Sequence, residues 1–223
     1  MFLLKKNLLN NLKTYLYWSF KGPYKPEKFW SRWGNTFIQE QSQKAIYPQH
    51  KWILKKLIEK RPKTLLEVGC GFGRNIKYIA NNFPYPLKIV GVDFSESMLE
   101  NARNYIGTTK LKKVSIKLMK ANVLKLPFAN SSFDIVLCHG VLMHIKPEAI
   151  SQAVSEILRV TQKKIILVEE NDVDFSLSNE YFVKINYYTF VYPYQALFLV
   201  KGGKILEYHR KKKLDWFLIE KSF

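Results

Sequence analysis

The sequence predicts an α/β fold in which a mostly parallel sheet is covered on both faces by helices. From residue 64 onward, short apolar strands alternate with helical segments, which is the order that a parallel sheet requires. The first strand ends in a glycine-rich turn, and two strand-like runs close the chain. With 223 residues, 47% of them hydrophobic, we expect one α/β domain with a single core.

The alternation continues element by element along the chain. The pattern predicts strands at Thr64–Val68, Lys88–Val92, Val114–Lys120, Phe133–Cys138 and Lys164–Glu169. Helices are predicted through Trp30–Ile38 and at Tyr47–Glu59, Asn75–Asn82, Ser97–Ile106 and Pro147–Val160. The closing runs, Lys204–His209 and Trp216–Glu220, lie close enough in sequence to form an antiparallel hairpin around Arg210–Leu214.

Residues 1–46 are predicted to form a basic helical extension ahead of an α/β domain at residues 47–223. Near the start, leucine recurs every four residues, which is typical of an amphipathic helix. Lysines and asparagines interrupt every apolar run of residues 1–20, so we expect neither a membrane span nor a cleavable signal peptide there. This helix either packs on its own domain or lies on a membrane or partner.

The net charge of +18 is unevenly distributed along the chain. Residues 1–63 carry 14 Lys/Arg against 3 Asp/Glu, or +11, whereas residues 64–223 carry 22 against 15, or +7. A basic segment attracts polyanions, so RNA and an anionic membrane surface are candidate partners, with a lysine-rich solvated surface as the alternative. Cys70 and Cys138 lack the spacing of a metal site, and we expect a reduced, cytoplasmic protein without a metal, either free or peripheral to a membrane.

The glycine-rich turn, Gly69-Cys70-Gly71-Phe72-Gly73, follows the first strand and precedes a helix. Glycines at such a turn let the backbone approach a ligand at the carboxyl edge of the sheet. Arg74 stands where a dinucleotide-binding turn has its third glycine, and Glu67 would oppose a pyrophosphate but suit a cationic amino group. Asp93, at the end of the next strand, is placed to accept hydrogen bonds from two ribose hydroxyls, unless it serves as a helix cap.

Together these segments resemble the class I S-adenosylmethionine-dependent methyltransferases, in particular the small-molecule group of type 11/25 methyltransferase domains. The resemblance covers roughly residues 47–223 and is carried by LLEVGCGFGRN, VGVDFSESMLENAR and ANVLKLPFANSSFDIVLCHGVLMHI. It implies a Rossmann-like, seven-stranded, mostly parallel sheet with an antiparallel last strand and, here, an added N-terminal helical layer. It also implies S-adenosylmethionine as the cofactor.

The resemblance assigns cofactor-binding residues to the carboxyl edge of the sheet. They are Glu67, Gly69, Cys70, Gly71, Gly73, Asp93, Phe94, Met98, Asn122, Val123 and His139. Asn122 departs from the aspartate usual in the family, although its side-chain oxygen can still accept a hydrogen bond from the adenine amino group. Val123 would offer its backbone N–H to the adenine ring, and Phe94 would be an apolar contact to adenine or a core aromatic.

Two residues are the candidates for proton transfer. His139 follows the strand Phe133–Cys138, beside the expected place of the reactive methyl group, and is the first candidate base. Glu169 opens a polar cluster that runs to Asp172, which would bind substrate, assist proton removal or form a solvated loop. His144 matches a histidine that is common in the family and often structural.

The acceptor is expected to be an oxygen or nitrogen atom of a small-molecule or lipid-like compound. The alternatives are RNA, held by the basic N-terminal region, and a non-catalytic nucleotide-binding protein. The NPPY-like tetrapeptide of base-amino methyltransferases is absent at Cys138-His139-Gly140-Val141, which disfavours RNA. A segment at about residues 171–200 is rich in aromatic residues, so we expect it to roof the substrate pocket together with the N-terminal helices, or else to form an accessory core.

Overall fold

The computed structural model describes residues 24–39, 41–107, 113–171, 183–184 and 188–222. The predicted amphipathic helix of residues 1–20 lies outside the described residues. So do Asp172 and four aromatic residues of the segment at 171–200, namely Phe175, Tyr181, Phe182 and Tyr187.

Helices and strands alternate along the described chain as the sequence predicts. The helices are α1 (Pro26–Phe37), α2 (Gln41–Lys44), α3 (Pro48–Lys60), α4 (Arg74–Asn82), α5 (Glu96–Ile106), α6 (Pro147–Val160) and α7 (Tyr194–Leu199). The strands are β1 (Thr64–Val68), β2 (Leu87–Asp93), β3 (Val114–Lys120), β4 (Phe133–His139), β5 (Thr161–Glu170), β6 (Val183–Lys184), β7 (Phe190–Val191), β8 (Gly203–Lys211) and β9 (Leu214–Lys221). A short 3₁₀ turn at Leu142–His144 follows β4.

Seven of these strands form one sheet in the order β3-β2-β1-β4-β5-β9-β8. Strands β1 to β5 are parallel, and β9 inserts antiparallel between β5 and β8, with Ile165 opposite Ile219. The predicted fold class and the antiparallel last strand are confirmed. Because β8 and β9 are joined by the two residues Lys212 and Lys213, they pair as an antiparallel hairpin, and β9 also runs antiparallel to β5.

Each face of the sheet supports its own apolar core. One core packs α6 and α7 on the sheet, with residues such as Val136 and Ile157 fully buried. The other core packs α3, α4 and α5 on the opposite face, around Leu65 and Ile76. Strands β1 and β4 lie in the middle of the sheet and are buried along almost their whole length, as parallel strands between two helical layers must be.

Two polar anchors hold the segments that carry the site. The Asp134 carboxylate accepts hydrogen bonds from the backbone N–H groups of Lys63 and Thr64 at 2.8 and 3.1 Å, which ties β4 to the start of β1. The Arg159 guanidinium donates to the carbonyl groups of Leu126 and Phe128 at 2.9 and 2.6 Å. This second anchor fixes the loop after β3, where Asn122 lies.

Helix α1 lies against the α/β domain as part of an N-terminal layer. On one side Ser97 Oγ donates to the carbonyl of Ser31 at 3.2 Å. On the other side Phe29 stacks on Tyr188, with ring centroids 4.6 Å apart. Helix α1 therefore bridges α5 and the segment that precedes β7. None of the helices in the described ranges is both long and apolar enough to cross a membrane.

Candidate active site

A cavity of about 470 Å³ opens at the carboxyl edge of the sheet. The ends of β1, β2 and β4 form its floor, the loop after β3 forms one wall, and α1 contributes Pro26, Glu27 and Trp30. Ten of the eleven predicted cofactor-binding residues line it: Glu67, Gly69, Cys70, Gly71, Asp93, Phe94, Met98, Asn122, Val123 and His139. Their binding of a cofactor remains a prediction, but the fold brings them to one place.

Gly69 and Gly73 are required by the packing of the glycine turn. Gly69 has a φ of +65°, and a Cβ atom there would lie 2.4 Å from Val141 Cγ2. Gly73, with a φ of +83°, is the residue before α4, and a Cβ atom would meet Ile106 Cδ1 at 2.8 Å. Gly73 does not line the cavity, so its place in the structure is at the contact between α4 and α5 rather than beside a ligand.

Glu67 is buried at the floor of the cavity with one oxygen partnered and one not. Its Oε1 accepts a hydrogen bond from Asn75 Nδ2 at 2.7 Å. Its Oε2 and Asn75 Oδ1 are both buried without a hydrogen-bond partner among the described residues. Desolvation by burial raises the pKa of Glu67 to about 8, against the opposing effects of the Asn75 hydrogen bond and the Arg74 charge. A buried oxygen without a partner can accept a hydrogen bond from a donor group of a ligand.

Asp93 holds the glycine turn against the end of β2. Its Oδ2 accepts from the Gly71 N–H and its Oδ1 from the Ser95 N–H, both at 2.9 Å. Burial raises its pKa, while these backbone hydrogen bonds act in the opposite direction. The cap of α5 is Ser95, whose Oγ accepts from the Met98 N–H, so Asp93 does not serve as the cap. Its carboxylate lines the cavity at the expected ribose position.

The loop after β3 forms the wall where adenine is expected. Asn122 Oδ1 accepts from the Leu124 N–H at 2.9 Å, which fixes the side chain in a local turn and leaves the second lone pair of the oxygen for a ligand. Val123 is buried and lines the cavity beside it. Phe94 and Met98 line the cavity from the loop after β2 and from α5.

His139 and His144 both line the cavity, and their Nδ1 atoms have different hydrogen-bond partners. His139 Nδ1 lies 3.1 Å from Asn75 Nδ2. Because the Asn75 amide donates there, the single proton of a neutral His139 ring lies on Nε2. His144 Nδ1 lies 2.8 Å from the carbonyl oxygen of Tyr188 and must donate to it, which leaves a lone pair on Nε2.

Burial keeps both histidines uncharged at neutral pH. It lowers the pKa of His144 to about 4, although the Tyr188 carbonyl acts in the opposite direction. Burial lowers the pKa of His139 well below its ordinary value, and the charges of His50 and Arg74 add to this effect. The hydrogen bonds of the two rings therefore leave a lone pair on Nε2 in His144 and a proton on Nε2 in His139.

Glu169 does not reach the cavity, in contrast to the prediction that it assists proton transfer or binds substrate. It is fully buried, and its carboxylate accepts from the backbone N–H groups of Val141, Leu142 and Met143 at 3.0, 3.0 and 3.1 Å. Burial raises its pKa to about 7, opposed by these three hydrogen bonds. Glu169 therefore holds the turn after β4 and is not among the residues that line the cavity.

The described aromatic residues of the segment at 171–200 form an accessory core. Tyr188, Phe190, Tyr192 and Tyr194 pack beneath the N-terminal layer, and none of the four lines the cavity. The expectation that their rings roof the pocket is wrong for these residues. In the N-terminal layer, the Phe190 ring packs against Tyr24 and the Tyr188 ring stacks on Phe29. These contacts bury the rings away from the cavity. Of the N-terminal layer, helix α1 lines the cavity through Pro26, Glu27 and Trp30.

Sequence reasoning assigned no role in the site to Arg74 or Trp30. Arg74 lines the cavity, and its Nη1 donates to the carbonyl of Gln43 at 2.8 Å. Trp30 lines the cavity, and its Nε1 donates to Tyr24 Oη at 3.1 Å. The position of Arg74 directly after the glycine turn was a usable signal, since the first residue of that helix faces the ligand. The position of Trp30 agrees with the expectation that the N-terminal helices cover the pocket, although no local pattern singles out this residue.

Comparison with known proteins also indicates a methyltransferase domain, as the resemblance in the sequence implied. Residues 65–164 match the family described as Methyltransferase domain. The chain is 31% identical over 140 residues to an uncharacterized protein of Haemophilus influenzae, covering 63% of this chain and 53% of the relative. It is 30% identical over 142 residues to the demethylmenaquinone methyltransferase of Symbiobacterium thermophilum, covering 63% and 55%. The chain spans about half the length of the curated relatives it matches.

Solved structures share the fold at low sequence identity. Magnesium protoporphyrin IX methyltransferase from Synechocystis, with bound SAH, superposes with a TM-score of 0.63 at 16% identity, covering 78% of this chain and 82% of that one. A SAM-dependent methyltransferase from Methanosarcina mazei gives a TM-score of 0.61 at 18% identity, covering 80% and 99%.

Proposed function

Residues 65–164 carry a methyltransferase domain of the class I S-adenosylmethionine-dependent family, and on this premise we propose that the protein methylates an oxygen or nitrogen atom of a small-molecule or lipid-like acceptor. The observation that carries the proposal is the buried, unpartnered Glu67 Oε2 at the floor of the cavity, beside the glycine turn. A carboxyl group at this place can ionise against a cationic ligand group, and so favours such a group over a pyrophosphate.

The residues of the cavity fit S-adenosylmethionine part by part. Glu67 would hold the ammonium group, Asp93 the ribose hydroxyls, and Asn122 with the Val123 N–H the adenine ring. Phe94 and Met98 would contact the adenine through apolar atoms. When bound, the cofactor supplies a methyl group on a sulfonium, which is electrophilic without further activation.

The protein then has to align the acceptor with the methyl group. Where the acceptor atom carries a proton, a side chain of the protein has to accept that proton. The lone pair on His144 Nε2 suits this role, because the hydrogen bond from Nδ1 to Tyr188 fixes the ring orientation. His139 Nε2–H would instead donate a hydrogen bond to the acceptor, so we assign it a positioning role. Helix α1 covers the cavity and keeps water from the reacting atoms.

The acceptor side of the cavity supports a ring-shaped or apolar acceptor. Trp30, Met143 and Ile145 line it, and the Trp30 and His144 rings lie 4.7 Å apart between centroids. The planes of these two rings are inclined at 58°, and the apolar side chains of Trp30, Met143 and Ile145 favour an acceptor with an apolar or ring-shaped part. A quinone-like or lipid-like compound would fit, which agrees with the similarity to a demethylmenaquinone methyltransferase.

A second candidate acceptor is RNA, favoured by the net charge of +11 in residues 1–63. The test is transfer of labelled methyl from S-adenosylmethionine to three fractions: polar metabolites, organic-extractable lipids and total RNA. Label in the lipid or metabolite fraction that is lost in Asp93→Ala supports the proposal. Label in RNA alone contradicts the acceptor class, and no transfer to any fraction by a protein that binds the cofactor would favour a non-catalytic protein.

A further inference from the structure

Arg74 places a guanidinium with unused donors in the wall of the cavity. It is the first residue of α4 and lines the cavity from the end of the glycine turn. Of its five N–H donors, one donates to the carbonyl of Gln43, and no other hydrogen bond or ion pair joins it to the described residues. Burial lowers the pKa of Arg74, the direction expected of a guanidinium that lacks an anionic partner.

Two unused acceptors line the same cavity. Glu67 Oε2 and Asn75 Oδ1 are buried and unpartnered, and both residues line the cavity with Arg74. The charges of Arg74 and Glu67 act on each other, yet the two side chains form no ion pair within 4.0 Å. The cavity therefore separates a cation from a carboxyl group, with an amide oxygen beside the latter.

A separated pair of this kind is complementary to a zwitterion. An α-amino acid carries an ammonium group with three donors and a carboxylate that suits a guanidinium fork. We propose that Arg74 binds the carboxylate of the amino-acid end of the cofactor, while Glu67 Oε2 and Asn75 Oδ1 receive its ammonium group. This inference rests on the proposed use of S-adenosylmethionine and adds Arg74 and Asn75 as residues that select a ligand with an intact amino-acid end.

The same guanidinium connects the cofactor site to the N-terminal layer. Its Nη1 holds the carbonyl of Gln43 in α2, and α2 directly precedes α3 in the chain. A carboxylate bound to the remaining N–H groups would fix the guanidinium and, through Nη1, the segment Gln41–Lys44. Cofactor binding should therefore slow amide hydrogen exchange in this segment.

The experiment is calorimetry of the full chain with two ligands that differ by one group. The probes are S-adenosylhomocysteine and its decarboxylated analogue, which keeps the amine but lacks the carboxylate. Wild type should prefer S-adenosylhomocysteine by about 10- to 100-fold, the loss expected for a charge-assisted hydrogen bond. Arg74→Met should lose this preference by weakening S-adenosylhomocysteine alone, and Arg74→Lys should keep part of it because the charge remains.

Arg103→Met is the matched control, because Arg103 pairs with Glu96 on the exposed surface of α5. It should leave both affinities unchanged. Equal affinity of wild type for the two ligands, or equal weakening of both by Arg74→Met and Arg74→Lys, would overturn the role of Arg74. Failure of wild type to bind either ligand would overturn the cofactor assignment itself. Hydrogen exchange at Gln41–Lys44 that slows on binding in wild type but not in Arg74→Met would support the link to α2.

Discussion

At the scale of single residues, burial decides which polar groups can serve a ligand. Glu67 and Glu169 are both buried carboxyl groups at strand ends. The Glu169 oxygens are occupied by three backbone N–H groups, whereas one Glu67 oxygen has no partner among the described residues. Glu169 therefore serves to hold the fold together, and Glu67 has an oxygen available to a ligand.

Removal of either cofactor carboxylate should weaken binding of S-adenosylhomocysteine. We expect Glu67→Ala and Asp93→Ala each to cost about 1–3 kcal/mol, because polar ligand groups would be left unpaired. Calorimetry on folded protein measures this, with Glu100→Ala as the control because Glu100 is exposed on α5. Wild-type protein that binds NAD but not the adenosyl ligand would contradict the site.

Cofactor binding should release a proton from Glu67. With a pKa of about 8, the unliganded carboxyl group is mostly protonated at pH 7, and an ammonium group would require it ionised. Close to one proton should therefore leave per ligand bound at pH 7, and the number should fall as the pH rises above 8. Calorimetry in phosphate and in Tris buffer measures the release. Glu67→Gln should show none, and equal release in that variant would exclude Glu67 as the source.

At the scale of the elements, buried carboxylates fix where the loops of the site begin. Glu169 of β5 holds the turn that follows β4, and Asp134 of β4 holds the residues that precede β1. Both carboxylates join segments that are far apart in sequence. The position of the cavity wall thus depends on contacts between distant segments as well as on the local sequence of each strand.

Glu169→Gln should destabilise the fold rather than remove a proton acceptor. Glutamine has one acceptor oxygen and an N–H₂ group that would face a backbone donor, so we expect a loss of about 1–3 kcal/mol in the free energy of unfolding. Urea denaturation measures the loss. Glu100→Gln is the control, since that side chain is exposed. An unchanged stability would show that the three backbone hydrogen bonds contribute nothing.

Asp134 should contribute stability that depends on pH. Against the desolvation that burial brings, hydrogen bonds from Lys163 and from the N–H groups of Lys63 and Thr64 lower its pKa. A lowered pKa in the folded state means stability that is present above the unfolded pKa and lost as the pH falls through the folded value. Asp134→Ala should cost about 1–3 kcal/mol at pH 7 and less at low pH.

The comparison variant for Asp134 is Lys163→Met. The Lys163 side chain is 64% exposed, so its ion pair with Asp134 should contribute under about 1 kcal/mol. Denaturation series at several pH values measure both variants. A cost of Asp134→Ala that stays constant down to acid pH would contradict the role of the ionised carboxylate.

At the scale of the whole molecule, the N-terminal layer and the domain form one structure over the described residues. Helix α1 contributes to the wall of the cavity, and Phe29 of α1 and the preceding Tyr24 complete a core with Tyr188 and Phe190. Residues 1–63 also carry most of the excess positive charge. The region that covers the site is thus continuous in sequence with the region that would attract an anionic surface.

Binding to anionic vesicles should depend on salt and on residues 1–20. We expect full-length protein to bind phosphatidylserine vesicles at about 50 mM salt and to release them at about 300 mM, because screening weakens attraction between exposed charges. Removal of residues 1–20, or the full-length variant K5Q/K6Q/K13Q, should weaken binding. Co-sedimentation measures it. Tighter, steeply salt-dependent binding to RNA than to vesicles would favour the RNA alternative instead.

The resemblance to the family supplied the antiparallel last strand and the expected role of Asn122. The sequence by itself determined the alternation of strands and helices, the closing hairpin and the placement of Glu67 and Asp93 at the ends of strands. These follow from local patterns, since strand periodicity, turn glycines and residues at strand ends need no knowledge of distant contacts. The tertiary structure alone decided that Glu169 is occupied by the turn after β4 and that the Tyr188 carbonyl takes up His144 Nδ1. It also decided that the aromatic residues Tyr188 to Tyr194 form a core. Each of these depends on which distant segments meet, and burial and hydrogen-bond partners are set only when they do.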